Sequence, residues 1–276
     1  MYERDSRLTA AIAKATAEKR PARVPFLTAG CPSPDCFWER LQELEANGAD
    51  IIEVGVPFSD PVADGPVIAA ASQRAILNGV DLDWILEGLA KISLKVPVVL
   101  MSYANPLVQY AWERATGASL SQKVLASLRL LAKDLTPTVA GVIIPDVPLE
   151  ESGPFHVSLD EVGIDLIVLV GPNVSSQRME KYARLARGYV YVVSVLGTTG
   201  VRDGLPLEVK ATLARARAAF DVPLALGFGV KEPKQLEGLS RLPDAVIFGS
   251  ALVKHLENGG AVKDFMAPWL EYYPKS

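Results

Sequence analysis

Gly48-Ala49-Asp50-Ile51-Ile52-Glu53-Val54 ends one helical pattern and opens a strand. A glycine releases the helix, and an apolar run follows that is too short for a helix and too continuous for a strand with one wet face. The chain repeats the device at Gly163-Ile164-Asp165 and, with proline as the stop, at Pro243-Asp244-Ala245. Working outward, similar apolar runs stand at 24–28, 96–101, 140–144, 164–170, 189–195, 222–226 and 245–248, which with 50–54 makes eight candidate strands. Their Val, Ile and Leu content with little polar alternation is what a parallel sheet covered on both faces requires. Helical patterns lie between most of them, at 35–47, 66–78, 120–133, 175–187, 206–220 and 251–257, and a charged helix is expected at about 6–20.

Eight such units in 276 residues favour a closed (β/α)8 barrel, a TIM barrel, over an open doubly wound sheet, whose GxGxxG fingerprint is missing after the first strand. The reading is one domain over 1–276, with the N-terminal helix preceding strand 1. Apolar residues make up 49% of the chain, and 28 basic against 32 acidic residues leave a net charge of −4 with the signs interleaved. That balance disfavours nucleic acid or an anionic membrane as partner and favours a small-molecule substrate. The two cysteines, Cys31 and Cys36, lack zinc-site spacing and read as reduced structural thiols, and no apolar run approaches a membrane span, so a cytoplasmic location is expected.

In a barrel, chemistry sits at the C-terminal ends of the strands. His156 and His255, the chain's two histidines, fall in helical patterns, so no histidine metal centre is expected, and the lack of a strand-end lysine argues against a Schiff-base aldolase. Glu53 closes an aliphatic run, where desolvation would raise its pKa toward neutrality and suit it to general acid or base work; a buried structural hydrogen-bond network is the alternative. Asp64 lies on the Gly/Pro-rich loop that follows and could equally cap the next helix. Gly227, Gly229, Gly249 and Ser250 fall where many barrels bind phosphate on backbone amides, unless they are ordinary turn residues. Ser194 to Gly200 reads as a lid or a plain long loop, and Asp146 as a substrate contact, a positioning group or a structural residue.

The runs Glu53-Val54-Gly55-Val56-Pro57-Phe58-Ser59-Asp60-Pro61-Val62-Ala63-Asp64-Gly65-Pro66, Tyr103-Ala104-Asn105-Pro106 and Pro145-Asp146-Val147-Pro148-Leu149-Glu150-Glu151, with Thr199-Gly200 and Gly227-Phe228-Gly229, resemble the tryptophan synthase alpha subunit family, in order and over nearly the whole chain. The resemblance implies a lyase of tryptophan biosynthesis that splits indole-3-glycerol phosphate into indole and glyceraldehyde 3-phosphate. It implies Glu53 and Asp64 as the catalytic pair, Phe228, Gly200, Gly229, Gly249 and Ser250 around the substrate phosphate, Tyr191 lining the pocket, and Thr199 as the lid residue that bonds to Asp64. It further implies no cofactor on this chain, pyridoxal phosphate (PLP) only on a beta subunit, and an alpha2beta2 heterotetramer. Departures are a connection from Asn105 to Asp146 longer than the family's, through 110–126, Leu196 where the family has a polar residue and Thr198 where it often has Val. They point to a co-adapted beta subunit. Other phosphate-binding barrel isomerases or epimerases, and an inactive regulatory relative, are the competing readings.

Overall fold

A computed structural model of the chain describes residues 6–114, 129, 134, 138–193, 207–227, 229–237, 239 and 243–273. Its centre is a closed barrel of eight parallel strands in the order in which they occur along the chain. They are β1 (Ala22–Thr28), β2 (Ile52–Gly55), β3 (Val98–Met101), β4 (Val139–Ile143), β5 (Asp165–Val170), β6 (Val190–Val193), β7 (Leu224–Gly227) and β8 (Ala245–Phe248). Seven of the eight are buried or nearly so along their whole length, and β5 is the more open one. That explains the missing polar alternation: both faces are covered, so both faces are apolar.

Register fixes which side chains point inward, because parallel neighbours directly paired face the same side. Phe26 pairs with Glu53, Glu53 with Val99, Val99 with Gly141 and Gly141 with Asp165, a layer inside the barrel. Leu169, Tyr191 and Ala225 form an equivalent row on β5 to β7. Below them α1 (Arg7–Ala17) crosses the N-terminal end of the barrel. Ser6 caps it by accepting the Thr9 N–H, and its Leu8, Ile12 and Ala15 stripe is buried. Leu8 reaches up to where Gly141 and Gly188 lack side chains, the Ser6 hydroxyl donates to the Asp165 carboxylate, and Thr9 Oγ1 donates to the Gly188 carbonyl at 2.7 Å.

The outer layer contains α2 (Pro34–Ala46), α3 (Pro66–Leu77), α4 (Leu82–Lys91), α5 (Ala104–Arg114), α6 (Gly153–Glu161), α7 (Ser176–Ala183), α8 (Leu207–Ala219), α9 (Ser250–Glu257) and α10 (Val262–Tyr272). Four of these, α4, α5, α6 and α10, have no counterpart among the helical patterns of the sequence, and each contains Gly or Pro. Pro106 and Pro154 sit in first turns, where a missing N–H costs nothing, while Gly88 and Pro268 stand inside α4 and α10. The patch at 120–133 falls almost entirely outside the described residues. Strand limits shift by one or two residues at most ends. One of the two-residue shifts leaves Asp50 and Ile51 ahead of β2: the Asp50 carboxylate accepts the Arg23 N–H at 2.8 Å and is paired with Arg20. Asp244 repeats this beside β8, accepting the Leu224 N–H at 2.8 Å. Gly48 and Gly163 follow their helices at φ +89° and +85°, the left-handed turn expected of a helix-stop glycine.

Candidate active site

Glu53 is fully buried in the middle of β2, one residue short of where the sequence run suggested a strand end. Its Oε1 accepts a hydrogen bond of 2.6 Å from the Tyr189 hydroxyl, and its Oε2 is buried with no partner among the described residues. Desolvation raises its pKa from the ordinary carboxylate range to about 8, against which the Tyr189 bond is the smaller, opposing effect. At neutral pH this group is therefore a carboxylic acid, with one oxygen tethered and the other unpaired among the described residues. Of the two readings of the sequence, the hydrogen bond in the core is present, and the raised pKa is the one expected of a proton-transfer group.

Asp64 sits on the loop between β2 and α3, half-buried. Gly65 is the N-cap of α3 and no side chain caps that helix, so Asp64 is not spent as a cap. Burial raises its pKa to about 6, offset in part by a hydrogen bond from Tyr103. Asp64 lines a cleft at the C-terminal end of the barrel together with Phe26, Thr28, Gly55, Met101 and Tyr103. Glu53 lies two residues before Gly55, on the same inward face and one layer deeper. The Thr28 hydroxyl is buried there without a partner among the described residues. Tyr191 is buried within electrostatic reach of both Glu53 and Asp64. Its ring fills the space that a side chain on Gly227 would need.

Gly249 is the N-cap residue of α9, and Ser250 opens that helix, with no side-chain cap. A Cβ on Gly249 would meet Phe26 Cδ1 at 2.9 Å, so the glycine lets the Phe26 ring pack beside the helix start. Gly229 adopts φ +86°, open to glycine and strained for other residues. Phe228, Thr199 and Gly200 lie outside the described residues, as do Leu196 and Thr198. Asp146 does not face this cleft as an open ligand: its carboxylate accepts the Ala104 N–H at 2.9 Å, capping α5 from the neighbouring loop. A cavity of about 260 Å³ also lies outside the barrel, where Leu166 and Val168 of β5 face Tyr182 and Leu185; Asp146 and His156 border it, while Glu53 and Asp64 do not. Among the described residues no three His, Cys, Asp or Glu side chains gather as a metal site, and no helix is long and apolar enough to cross a membrane.

Two groups were given no role in the sequence reading. Tyr189 was within reach of it, since Tyr189 and Tyr191 alternate in one apolar run and must share the inward face. Tyr103 carried no comparable periodic signal.

The model of the family "Tryptophan synthase alpha chain" matches residues 12–270. The chain belongs to the tryptophan synthase alpha chain family. It is 57% identical over 268 residues to the tryptophan synthase alpha chain of Nitratidesulfovibrio vulgaris (strain DP4), covering 96% of this chain and 98% of that one. The relative from Solidesulfovibrio magneticus is 50% identical over 264 residues, covering 95% and 97%. A solved structure of Mycobacterium tuberculosis tryptophan synthase superposes with a TM-score of 0.82 at 32% identity, covering 98% of each chain. The tryptophan synthase alpha family is thus shown by sequence over nearly the whole chain, and its barrel is the barrel described above.

Proposed function

We propose that Glu53 and Asp64 carry out the lyase reaction of the tryptophan synthase alpha family, cleaving indole-3-glycerol phosphate into indole and glyceraldehyde 3-phosphate. The observation that carries the proposal is the Glu53 carboxyl, fully buried, held by Tyr189 at one oxygen and, among the described residues, unpartnered at the other. Protonated at neutral pH, Glu53 gives its proton to C3 of the indole ring, and the ring nitrogen takes up the positive charge of the resulting indolenine. The carboxylate so formed then removes the glycerol hydroxyl proton. As the carbonyl of glyceraldehyde 3-phosphate forms, the carbon–carbon bond breaks and its electron pair returns to the ring, neutralising the nitrogen. One proton leaves Glu53 and one comes back, so the group ends as it began. Asp64, ionised above a pKa of about 6, accepts the indole N–H and stabilises the charge that develops there.

The start of α9 at Gly249 and Ser250, with Gly229, Phe228 and Gly200, supplies the phosphate cradle in this reading, and Thr199 bonds to Asp64 when the lid closes. Only side chains and amides of this chain enter the scheme, so it calls for no cofactor. The partner is a PLP-bearing beta subunit seated over the mouth in an alpha2beta2 assembly in the cytoplasm. Val62, 86% exposed on the Asp64 loop, is an apolar side chain that such a partner would cover. Incubating the purified chain with indole-3-glycerol phosphate should release indole, Glu53→Gln should abolish release and Asp64→Asn should lower it by about 10²-fold or more, with both variants folded. Near-normal turnover by Glu53→Gln would sink the mechanism.

A further inference from the structure

The loop of residues 56–65 brings Asp64 to the mouth, and one side chain outside that loop grips it at two points on either side of the 59–62 stretch. Tyr103, 4% exposed, follows β3 at the start of α5. Its ring lies against Phe58, centroids 5.1 Å apart and tilted by 32°. Its hydroxyl accepts the Ala63 N–H at 2.9 Å and stands beside the Asp64 carboxylate, whose charge helps to raise the phenol's pKa. A phenol has one proton to give, and with the Ala63 amide occupying an oxygen lone pair, that proton is left free to turn toward the neighbouring carboxylate. Tyr103 is itself held: the Asp146 carboxylate accepts the N–H of the next residue, Ala104, and the Ser102 hydroxyl donates to the Tyr103 carbonyl at 2.9 Å.

We propose that Tyr103 is a positioning residue for Asp64, fixing where the carboxylate stands and which of its oxygens is left for the substrate, with Asp146 anchoring Tyr103 from the loop beyond. This rests on the reading of Asp64 as the group that accepts the indole N–H. Burial and the Asp64 charge push the Tyr103 hydroxyl up to about 12, so it stays a neutral donor throughout the working range. Its hydroxyl favours the ionised form of Asp64, opposing the burial that raises Asp64 to about 6. Losing the hydroxyl should therefore move the acid limb of the pH–rate profile to higher pH. A hydrogen bond to a charged group of this kind corresponds to about 10-fold to 100-fold in rate.

The test is Tyr103→Phe, which keeps the ring against Phe58. In the full chain with indole-3-glycerol phosphate, kcat should fall by about 10-fold to 100-fold with KM changed much less. In an Asp64→Asn background the same substitution should cost almost nothing more, because Tyr103 acts through Asp64. Independently of turnover, carbon-13 NMR of the aspartate carboxyls, assigned with Asp64→Asn, should show the Asp64 pKa higher in Tyr103→Phe. Fully additive losses or an unmoved Asp64 titration would overturn the proposal. A wild-type chain that fails to cleave the substrate while Asp64 still shifts would instead overturn the lyase reading and leave the Tyr103–Asp64 link standing. Should Tyr103→Phe not fold, 3-fluorotyrosine at 103, a stronger donor of the same shape, must lower the Asp64 pKa; an unchanged value overturns the proposal.

Discussion

A carboxyl group with no water around it is unstable when ionised, and Glu53 shows the cost of keeping one ready for proton transfer. Its pKa is about 8 when folded against about 4.5 when unfolded. Between those values the folded chain holds a proton that the unfolded chain has released, so stability falls as pH rises through that window. At about 1.4 kcal/mol per unit, the loss by pH 8 is on the order of a few kcal/mol. Glu53→Gln should therefore be more stable than the parent at pH 8, with the advantage shrinking toward pH 4, as urea unfolding at the two pH values would measure. An equal difference at both would contradict the account. Glu53 was legible in the sequence as a candidate because an acid closing an aliphatic run must be desolvated, although the run itself left a structural hydrogen-bond network as an equal alternative. Asp64 was legible as a residue but not as an environment: whether it capped α3 depended on Gly65 taking that place, a matter of one residue of helix phase. Tyr189 needed only the two-residue alternation of a strand, whereas Tyr103 needed knowledge of a contact between consecutive barrel loops, which local sequence does not encode.

Among the elements, α4 shows why helices were harder to read than strands. The strands announce themselves by composition because both faces are buried, but a helix over a barrel shows only a stripe, and Gly88 interrupts it. The reason for Gly88 lies in another helix: a Cβ there would overlap the Trp38 ring, which packs against Phe37 and Trp84 with centroid distances of 4.9 Å to each. Alanine is the better helix former by about 1 kcal/mol, yet Gly88→Ala should destabilise the protein by about 1–3 kcal/mol through overpacking. Thermal unfolding alongside an exposed control such as Lys91→Ala tests this, and a stabilised Gly88→Ala would show that the ring yields without cost. The strand starts hold a second device that sequence half revealed. Gly-x-Asp could be read as a helix stop, but its aspartate does more, as does the Asp244 that follows Pro243: Asp50 and Asp244 accept the Arg23 and Leu224 amides of adjacent strands. The glycine's role is local and was visible; the carboxylate's partner is on another strand and was not.

In the whole molecule, the closed ring is sealed at one end. α1 forms its contacts with residues more than a hundred positions away, Ser6 with Asp165, Arg7 with the Val139 carbonyl and Thr9 with the Gly188 carbonyl. Its buried stripe makes it part of the barrel core rather than an appendage. Leu8→Ala should cost about 2–5 kcal/mol, as a fully buried leucine does, while kcat at a temperature where the variant is folded stays near the parent's. A loss below about 1 kcal/mol in urea unfolding would mean that the helix is only loosely attached. The helix itself was expected from sequence at about 6–20, but its function as a floor was not, since nothing local says which end of a barrel a leading helix will cross. That floor has a consequence for traffic. A vessel with a stopper in its base empties by its neck: among the described residues α1 covers the base of the barrel, so in the proposed reaction the product made beside Glu53 leaves toward the rim, where a protein seated on that rim would receive it.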